Sequence, residues 1–343
     1  SAVRDFFEFF TDSVHFRTAV YFLHISKAGG TTFCAASYDN GCQDPNFHDG
    51  TSLNSWRHNC WSRPHDDGPK WTIENPKDKN DPRNGWWAHS MSSRPPVYSS
   101  CLALEQEVMT RSITFLMNEN WLLGGRDMPQ RVALCNHFLN VVLFRDPIAR
   151  IISHINYMQA VKSKMPSDVL SFVELAPIIT NNYYVRVLLG ENTYRRPMMN
   201  ITEADLSMAL HILDTFDIIM VLETLDLQGP IIIRRGFGWE KNKVLSMNSR
   251  RNPRQGPSTD HLSDVEKQIL RERNELDYRL YRHAAEKAEL DYEFFRQVQY
   301  ISERGKQLVS DSPHWKAFPS LYDNSIHCAQ TCGYICHIRL SSS

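Results

Sequence analysis

Apolar residues along this chain gather in a few short blocks separated by polar stretches of very different length. Ala19 to Ile25 is the first block, a run rich in β-formers that stops at Lys-Ala-Gly-Gly-Thr-Thr, and Phe33 to Ser37 then opens a helix. The pattern there is strand, loop, helix. From Asn40 to Asn84 the chain turns polar, rich in Pro, Asp, Asn and Gly without a period, and reads as a long irregular insertion. Leu102 to Leu123 has helical spacing, and Asn140 to Phe144 is a second buried strand that ends at Arg145-Asp146-Pro147, with Pro147 suited to the first turn of a helix. Asp168 to Ala176 and Tyr184 to Leu189 read as short helices. Thr202 and Asp205 open a clearer one that runs to about Leu213, and Asp217 to Leu222 is a third buried strand. Ser263 to about Arg304 is an amphipathic packing helix, with Leu276, Leu280, Tyr281 and Ala284 at helical spacing. The tail from Gln307 onward is Ser-rich and irregular apart from what its cysteines pin down.

Strands alternating with helices predict an α/β fold: a P-loop-like central parallel sheet flanked by helices, with the insertion and a helical C-terminal segment appended. The expected organisation is one domain over 1–305 and a Cys-containing tail over 306–343. A chain of 343 residues, 42% hydrophobic and 22% charged, can bury a substantial core. Its net charge of -1 supplies no whole-chain attraction to nucleic acid or anionic membrane, so an anionic ligand must be met by local groups. No apolar run reaches the roughly 20 residues that span a bilayer. The sequence opens at Ser1 without a signal-peptide pattern and reads as a trimmed chain, with any membrane anchor lying upstream.

Eight cysteines, several in polar, Trp-rich or Gly-rich surroundings, favour disulfides and an oxidising lumen. Cys328, Cys332 and Cys336 are flanked by His327 and His337, but their spacing fits no standard zinc pattern. Disulfides with Cys34, Cys42, Cys60 or Cys101 are preferred, and no metal is expected.

The candidate chemistry sits in two loops. In His24-Ile25-Ser26-Lys27-Ala28-Gly29-Gly30-Thr31-Thr32, a strand end meets a helix start, where backbone amides favour an anion. Lys27 supplies a mobile positive charge, Gly29 and Gly30 let the backbone approach, and Thr31 and Thr32 carry hydroxyl donors. Lys27 precedes the glycines and the glycine spacing is wrong for a Walker loop, which argues against a P-loop kinase. The second loop, Asn140 to Ser153, ends a strand at Arg145 and places Ser153 on the next helix. Arg145 can grip a second phosphate, Ser153 can add a hydroxyl, and Asp146 caps the helix and orients Arg145.

Together these motifs resemble the family of membrane-anchored sulfotransferases that includes the heparan sulfate 2-O and 6-O enzymes and their algal and protist relatives. There a His-Ile-Pro-Lys-Thr-Gly-Gly-Thr loop binds the 5′-phosphosulfate, and a Phe-Arg-Asp-Pro run with a downstream Ser binds the 3′-phosphate. This chain departs in having Ser26 for Pro and Ala28 for Thr or Ser. The likeness extends to Asn182–Gly190, Thr202–Leu206 and Asn274–Tyr281, and covers about Tyr21 to Ala285 outside the insertion.

The resemblance implies transfer of a sulfuryl group from 3′-phosphoadenosine 5′-phosphosulfate (PAPS) to a carbohydrate hydroxyl, leaving adenosine 3′,5′-bisphosphate. Donor contacts are expected from Lys27, Ala28, Gly29, Gly30, Thr31, Thr32, Arg145 and Ser153, and from Arg250, Arg251 or Arg254 in a late basic loop. Lys27 would neutralise the leaving oxygen, and His89, after the aromatic run Trp86-Trp87, is the expected general base. Glu105 and Glu107 are runner-up bases. His24 is read as structural, and His48, His58 and His65 lie where they could touch an acceptor. Trp56, Trp61, Trp71, Trp86 and Trp87 suit sugar stacking or a satellite core. Alternative acceptors are protein tyrosine and small alcohols, and a non-catalytic nucleotide-binding or interaction module is the alternative of another class. No nucleic-acid partner is expected, membrane attachment only through an anchor outside this sequence, and the compartment is the Golgi lumen.

Overall fold

The computed structural model describes residues 2–43, 101–118, 121–122, 134–161, 168–194, 196, 200–240, 259, 262–309 and 328–338. Residues 44–100, which hold the insertion beyond its first four residues, the five tryptophans from Trp56 to Trp87, Cys60, and His48, His58, His65 and His89, lie outside these residues, as do Arg250, Arg251 and Arg254. In chain order the elements are α1 (Ala2–His15), β1 (Ala19–Leu23), α2 (Gly30–Asp39), α3 (Cys101–Thr110), β2 (Phe115–Asn118) and β3 (Phe138–Phe144). Then come α4 (Pro147–Val161), α5 (Val169–Leu175), α6 (Pro177–Thr180), α7 (Tyr183–Leu188), α8 (Gly190–Tyr194), α9 (Glu203–Leu213) and β4 (Ile218–Val221). A 3₁₀ turn (Leu222–Thr224) and a π turn (Ile233–Phe237) bracket α10 (Leu225–Ile232). The chain continues through α11 (Asp264–Arg273), α12 (Glu275–Val309), β5 (Cys328–Cys332) and β6 (Ile335–Ile338).

The first four strands form one parallel sheet in the order β2-β1-β3-β4. Every residue of these strands is buried, because helices cover both faces, and this is why they read as continuous apolar runs. Alternate side chains serve opposite faces. Ala19, Tyr21 and Leu23 of β1 join Phe138, Val142 and Phe144 of β3 in one core cluster, while Val20 and Phe22 join Leu139, Val141 and Leu143 in the other.

The predicted helix over Leu102 to Leu123 is a helix followed by a strand. Ser112, at φ 54°, turns the chain after α3, and Phe115–Asn118 pairs with β1. A short apolar block satisfies either period, and pairing with β1 decided it. The predicted helix from Ser263 is divided at Asn274. Its start is as read, with Ser263 and Glu266 forming a capping box, as Thr202 and Asp205 do for α9.

The break at Asn274 serves a buried polar clamp. Asn274 Nδ2 donates to the Thr180 and Leu270 carbonyls at 2.8 and 2.9 Å, and its Oδ1 accepts from Asn182 N at 3.0 Å. Asn182 Oδ1 in turn accepts from Asp277 N at 3.2 Å. The Asp277 carboxylate accepts from Tyr184 N at 2.9 Å and Val185 N at 3.1 Å, closing the exposed amides at the start of α7. The Asn182 and Asn274 segments of the sequence are thus two halves of one joint, more than 90 residues apart in the chain.

The tail is not irregular throughout: β5 and β6 form an antiparallel hairpin. Tyr334 N donates to Phe237 O at 2.9 Å, Cys332 and Ile335 enter the second core cluster, and Cys332 is disulfide-bonded to Cys42 just beyond α2. That pairing is among those the sequence favoured. Cys101 is not joined to the tail: it pairs with Cys135, since the start of α3 and the approach to β3 lie together. Cys34 is also disulfide-bonded.

Asp277 is fully buried, and desolvation pushes its carboxyl from 3.8 up to about 6, against the pull of its amide donors and of the Arg150 and Arg186 charges. A carboxyl raised in the fold contributes stability that is whole below pH 3.8 and is lost as pH rises to about 6. The two values differ enough to move stability by about 3 kcal/mol. Asp277→Asn cannot ionise, so its unfolding free energy relative to the native chain should rise by up to about 3 kcal/mol between pH 4 and pH 7. Denaturant titrations at a series of pH values measure this, and a difference that stays flat with pH contradicts it.

Candidate functional site

β1 and β3 are neighbours, yet the chain passes from β1 to the far edge at β2 before returning to β3. Connections therefore leave the carboxyl ends of β1 and β3 in opposite directions, the place where open parallel sheets form a ligand crevice. The loop after β1 and Arg145 after β3 border it.

The first loop is built from backbone constraints. His24 N donates to Asn118 O at 2.8 Å, keeping the chain on the sheet for one more residue, and Ala28 N donates to Ile25 O at 3.0 Å to close a turn. Lys27 (φ 70°) and Gly29 (φ 91°) both take the left-handed region, natural for glycine and unfavourable for lysine. Gly29 caps α2, its carbonyl accepting from Thr32 N at 3.0 Å and Phe33 N at 3.2 Å. The amides of Gly30 and Thr31 precede any intrahelical acceptor and open the helix as an anion-facing end. Gly30 is required sterically, because a Cβ there would meet the His24 ring at 2.1 Å. His24 is buried and stacks on Phe22, which makes it the floor under Gly30. Ala28 is buried in the first core cluster, so its methyl belongs to the core.

Arg145 joins the second strand end to the first loop: its Nη1 donates to Lys27 O at 3.0 Å, across 118 residues of sequence. This bond holds the peptide of the strained Lys27. Burial lowers the Arg145 guanidinium from its ordinary value, and Glu223 is the strongest of the groups opposing that shift. Asp146 caps α4 as the sequence suggested, Oδ1 accepting from Ala149 N at 2.8 Å.

Residues that sequence reading passed over fix this strand end. The Tyr184 hydroxyl donates to Arg145 O. Glu223, just past β4, accepts from Asp146 N at 2.9 Å and from the Tyr281 hydroxyl at 3.0 Å, and Tyr278 donates to Asp146 Oδ2 at 3.3 Å. No local pattern flags Glu223; its position at the carboxyl end of the adjacent strand does.

α4 supplies the third wall. Ser153 and Tyr157 share a face at i, i+4 spacing, and Lys27 Nζ lies 4.1 Å from the centre of the Tyr157 ring. That face therefore meets the loop, and Ser153 stands on it. Tyr157 was legible in principle as the residue one turn beyond Ser153. His154, beside Ser153, is buried, and its imidazole is pushed well below the usual histidine range by burial, then by the Arg150 and Lys27 charges, so it is neutral near pH 7.

The runner-up bases are elsewhere. Glu105 contacts His137 Nδ1 at 3.2 Å, and His137 precedes β3 at the amino end of the sheet. The length of β3 puts that pair on the order of 20 Å from Arg145. Glu107 is paired with Arg111 one turn along at 3.4 Å.

The described site thus offers helix-start amides, an ammonium and a guanidinium around one crevice, an arrangement suited to an anion with more than one charged group. Comparisons with protein-family profiles, with curated proteins and with solved structures find no match for this chain.

Gly30→Ala should destabilise the protein by about 1–3 kcal/mol, because the added methyl meets an imidazole in a packed site. His24→Ala should relieve that clash, so the double variant should lose less than the two single losses summed, by about 1 kcal/mol or more. A denaturant-based double-mutant cycle measures the coupling, and strict additivity would remove His24 as the reason for Gly30.

Proposed function

We propose that this chain is a sulfotransferase with a P-loop-like donor site that moves a sulfuryl group from PAPS to a hydroxyl of a carbohydrate acceptor. The observation that carries the reading is the meeting of Lys27 and Arg145 at the β1/β3 switch point, joined by the hydrogen bond from Arg145 to Lys27 O. PAPS carries anionic groups on both the 5′ and 3′ sides of its ribose. Two separate basic elements in one crevice match it better than the single phosphate cradle of a kinase.

In this reading the amides opening α2, with Thr31 and Thr32 in its first turn, hold the 5′ side of the donor, and Arg145 with Ser153 holds the 3′-phosphate. The transfer forms a bond from the acceptor oxygen to sulfur and breaks the bond from sulfur to the 5′-phosphate oxygen. Lys27 places its ammonium against the charge arriving on that oxygen, where electrostatic stabilisation contributes most. The proton of the acceptor hydroxyl passes to a general base, for which the sequence order points to His89. Arg250 and Arg251 are further candidates for the 3′-phosphate. A luminal, Golgi-type setting accords with the disulfide-bonded cysteines, since such bonds persist in oxidising compartments.

Calorimetry should show adenosine 3′,5′-bisphosphate binding and no comparable binding of ATP. Arg145→Ala should weaken the bisphosphate by about tenfold or more, the scale of one lost charge-assisted contact. Tight ATP binding with none for the bisphosphate contradicts the proposal. Transfer of labelled sulfate, screened over glycans, tyrosine peptides and small alcohols, assigns the acceptor. In that assay His89→Ala should lower turnover about 100-fold or more while leaving bisphosphate affinity unchanged. Near-normal turnover would remove His89 as the base.

A further inference from the structure

Tyr157 has no part in the donor contacts assigned above, yet the Lys27 ammonium lies over its ring. Three observations bear on it. The ring centre is 4.1 Å from Lys27 Nζ, within the range of a cation–π contact. Tyr157 stays 42% exposed, so the contact is at the crevice mouth and the ring is not held there by core packing. The lysine backbone is pinned at φ 70° with its carbonyl bound by Arg145, so the direction in which the side chain leaves the loop is set.

A lysine side chain has four rotatable bonds and samples many rotamers when nothing receives its head group. A ring face beside the crevice biases those rotamers toward one orientation through a weak attraction. It also holds the ammonium weakly enough for a doubly charged anion to draw it away, because an exposed cation–π contact is far weaker than a charge-assisted bond to phosphate. His154, on the same helix, is neutral near pH 7 and adds no competing charge beside the ammonium.

We propose that Tyr157 is a positioning residue for Lys27: its ring docks the ammonium at the mouth of the crevice while the donor site is empty and releases it to the bound anion. The resting dock is independent of the sulfotransferase reading, whereas the handover rests on it.

The test uses the full chain with its lysines reductively methylated with ¹³C, a change that keeps the charge. Lys27→Arg assigns the Lys27 signal. In the native protein and in Tyr157→Phe, which keeps the ring, that signal should be shifted upfield by the ring current. In Tyr157→Leu it should return to the position of the solvent-exposed lysines, with the circular dichroism spectrum showing the variant folded. A Lys27 signal that is the same in native protein and Tyr157→Leu overturns the dock. On saturation with adenosine 3′,5′-bisphosphate, followed in parallel by calorimetry, the native signal should move downfield as the ammonium leaves the ring. Binding without that movement overturns the handover. A native chain that binds no bisphosphate defeats the donor reading and the handover with it, while the dock still stands or falls on the Tyr157→Leu spectrum. In sulfate transfer, Tyr157→Leu should lower kcat by about two- to fivefold with donor KM unchanged, and Tyr157→Phe should match the native protein.

Discussion

The parallel pairing of β1 with β3, with β2 on the outer side of β1, is the constraint on which the rest of this molecule depends. Parallel neighbours end at the same edge of the sheet, so pairing Leu23 with Val142 puts both connecting loops at that edge. Because the chain leaves the two strands in opposite directions, their carboxyl ends border the place where open parallel sheets form a crevice. The bond from Arg145 to the Lys27 carbonyl spans that crevice and ties the two loops into one site.

Holding the strand end in place is the task of the helical half of the chain. Tyr184 reaches Arg145 from α7, and the start of α7 is held by the buried Asp277 carboxylate at the beginning of α12. Tyr278 and Tyr281, spaced i, i+3 near the start of α12, contact Asp146 and Glu223. One helix therefore supports the site at two levels. The cost is a carboxylate buried at neutral pH, tolerable because backbone amides and two arginine charges offset part of its desolvation. The other end of the architecture is fastened covalently, with the hairpin β5–β6 bonded through Cys332 to Cys42 beyond α2.

Electrostatics at the crevice are local. A chain with a net charge of -1 has no general pull on an anion, so attraction must come from local groups, among the described residues Lys27, Arg145 and the amides that open α2. Burial lowers the proton affinity of Arg145, and Glu223 opposes that shift, which keeps a desolvated cation facing the crevice. His154 is kept neutral behind them by the same desolvation and by the two nearby cations.

The strand-loop-helix around Lys27 and the strand ending at Arg145 were readable in the sequence, because a buried parallel strand is a continuous apolar run and a glycine pair before a helix leaves few conformations. So were the caps at Thr202 and Asp146 and the helix start at Ser263, whose signals are local. A division between Thr110 and Phe115 was not, since a short apolar block fits both periods until a neighbouring strand claims it. Nor was the joint of Asn182, Asn274 and Asp277, whose polar residues carry no local signal of burial but are buried against partners more than 90 residues away. The same holds within the site. Residue types nominated Lys27, Arg145 and Ser153, while Tyr157, Tyr184 and Glu223 acquired their places only when the sheet order and the α4 and α12 packing brought distant segments together. Local sequence determined which groups are present and which way the backbone turns; long-range packing alone decided which of them face one another.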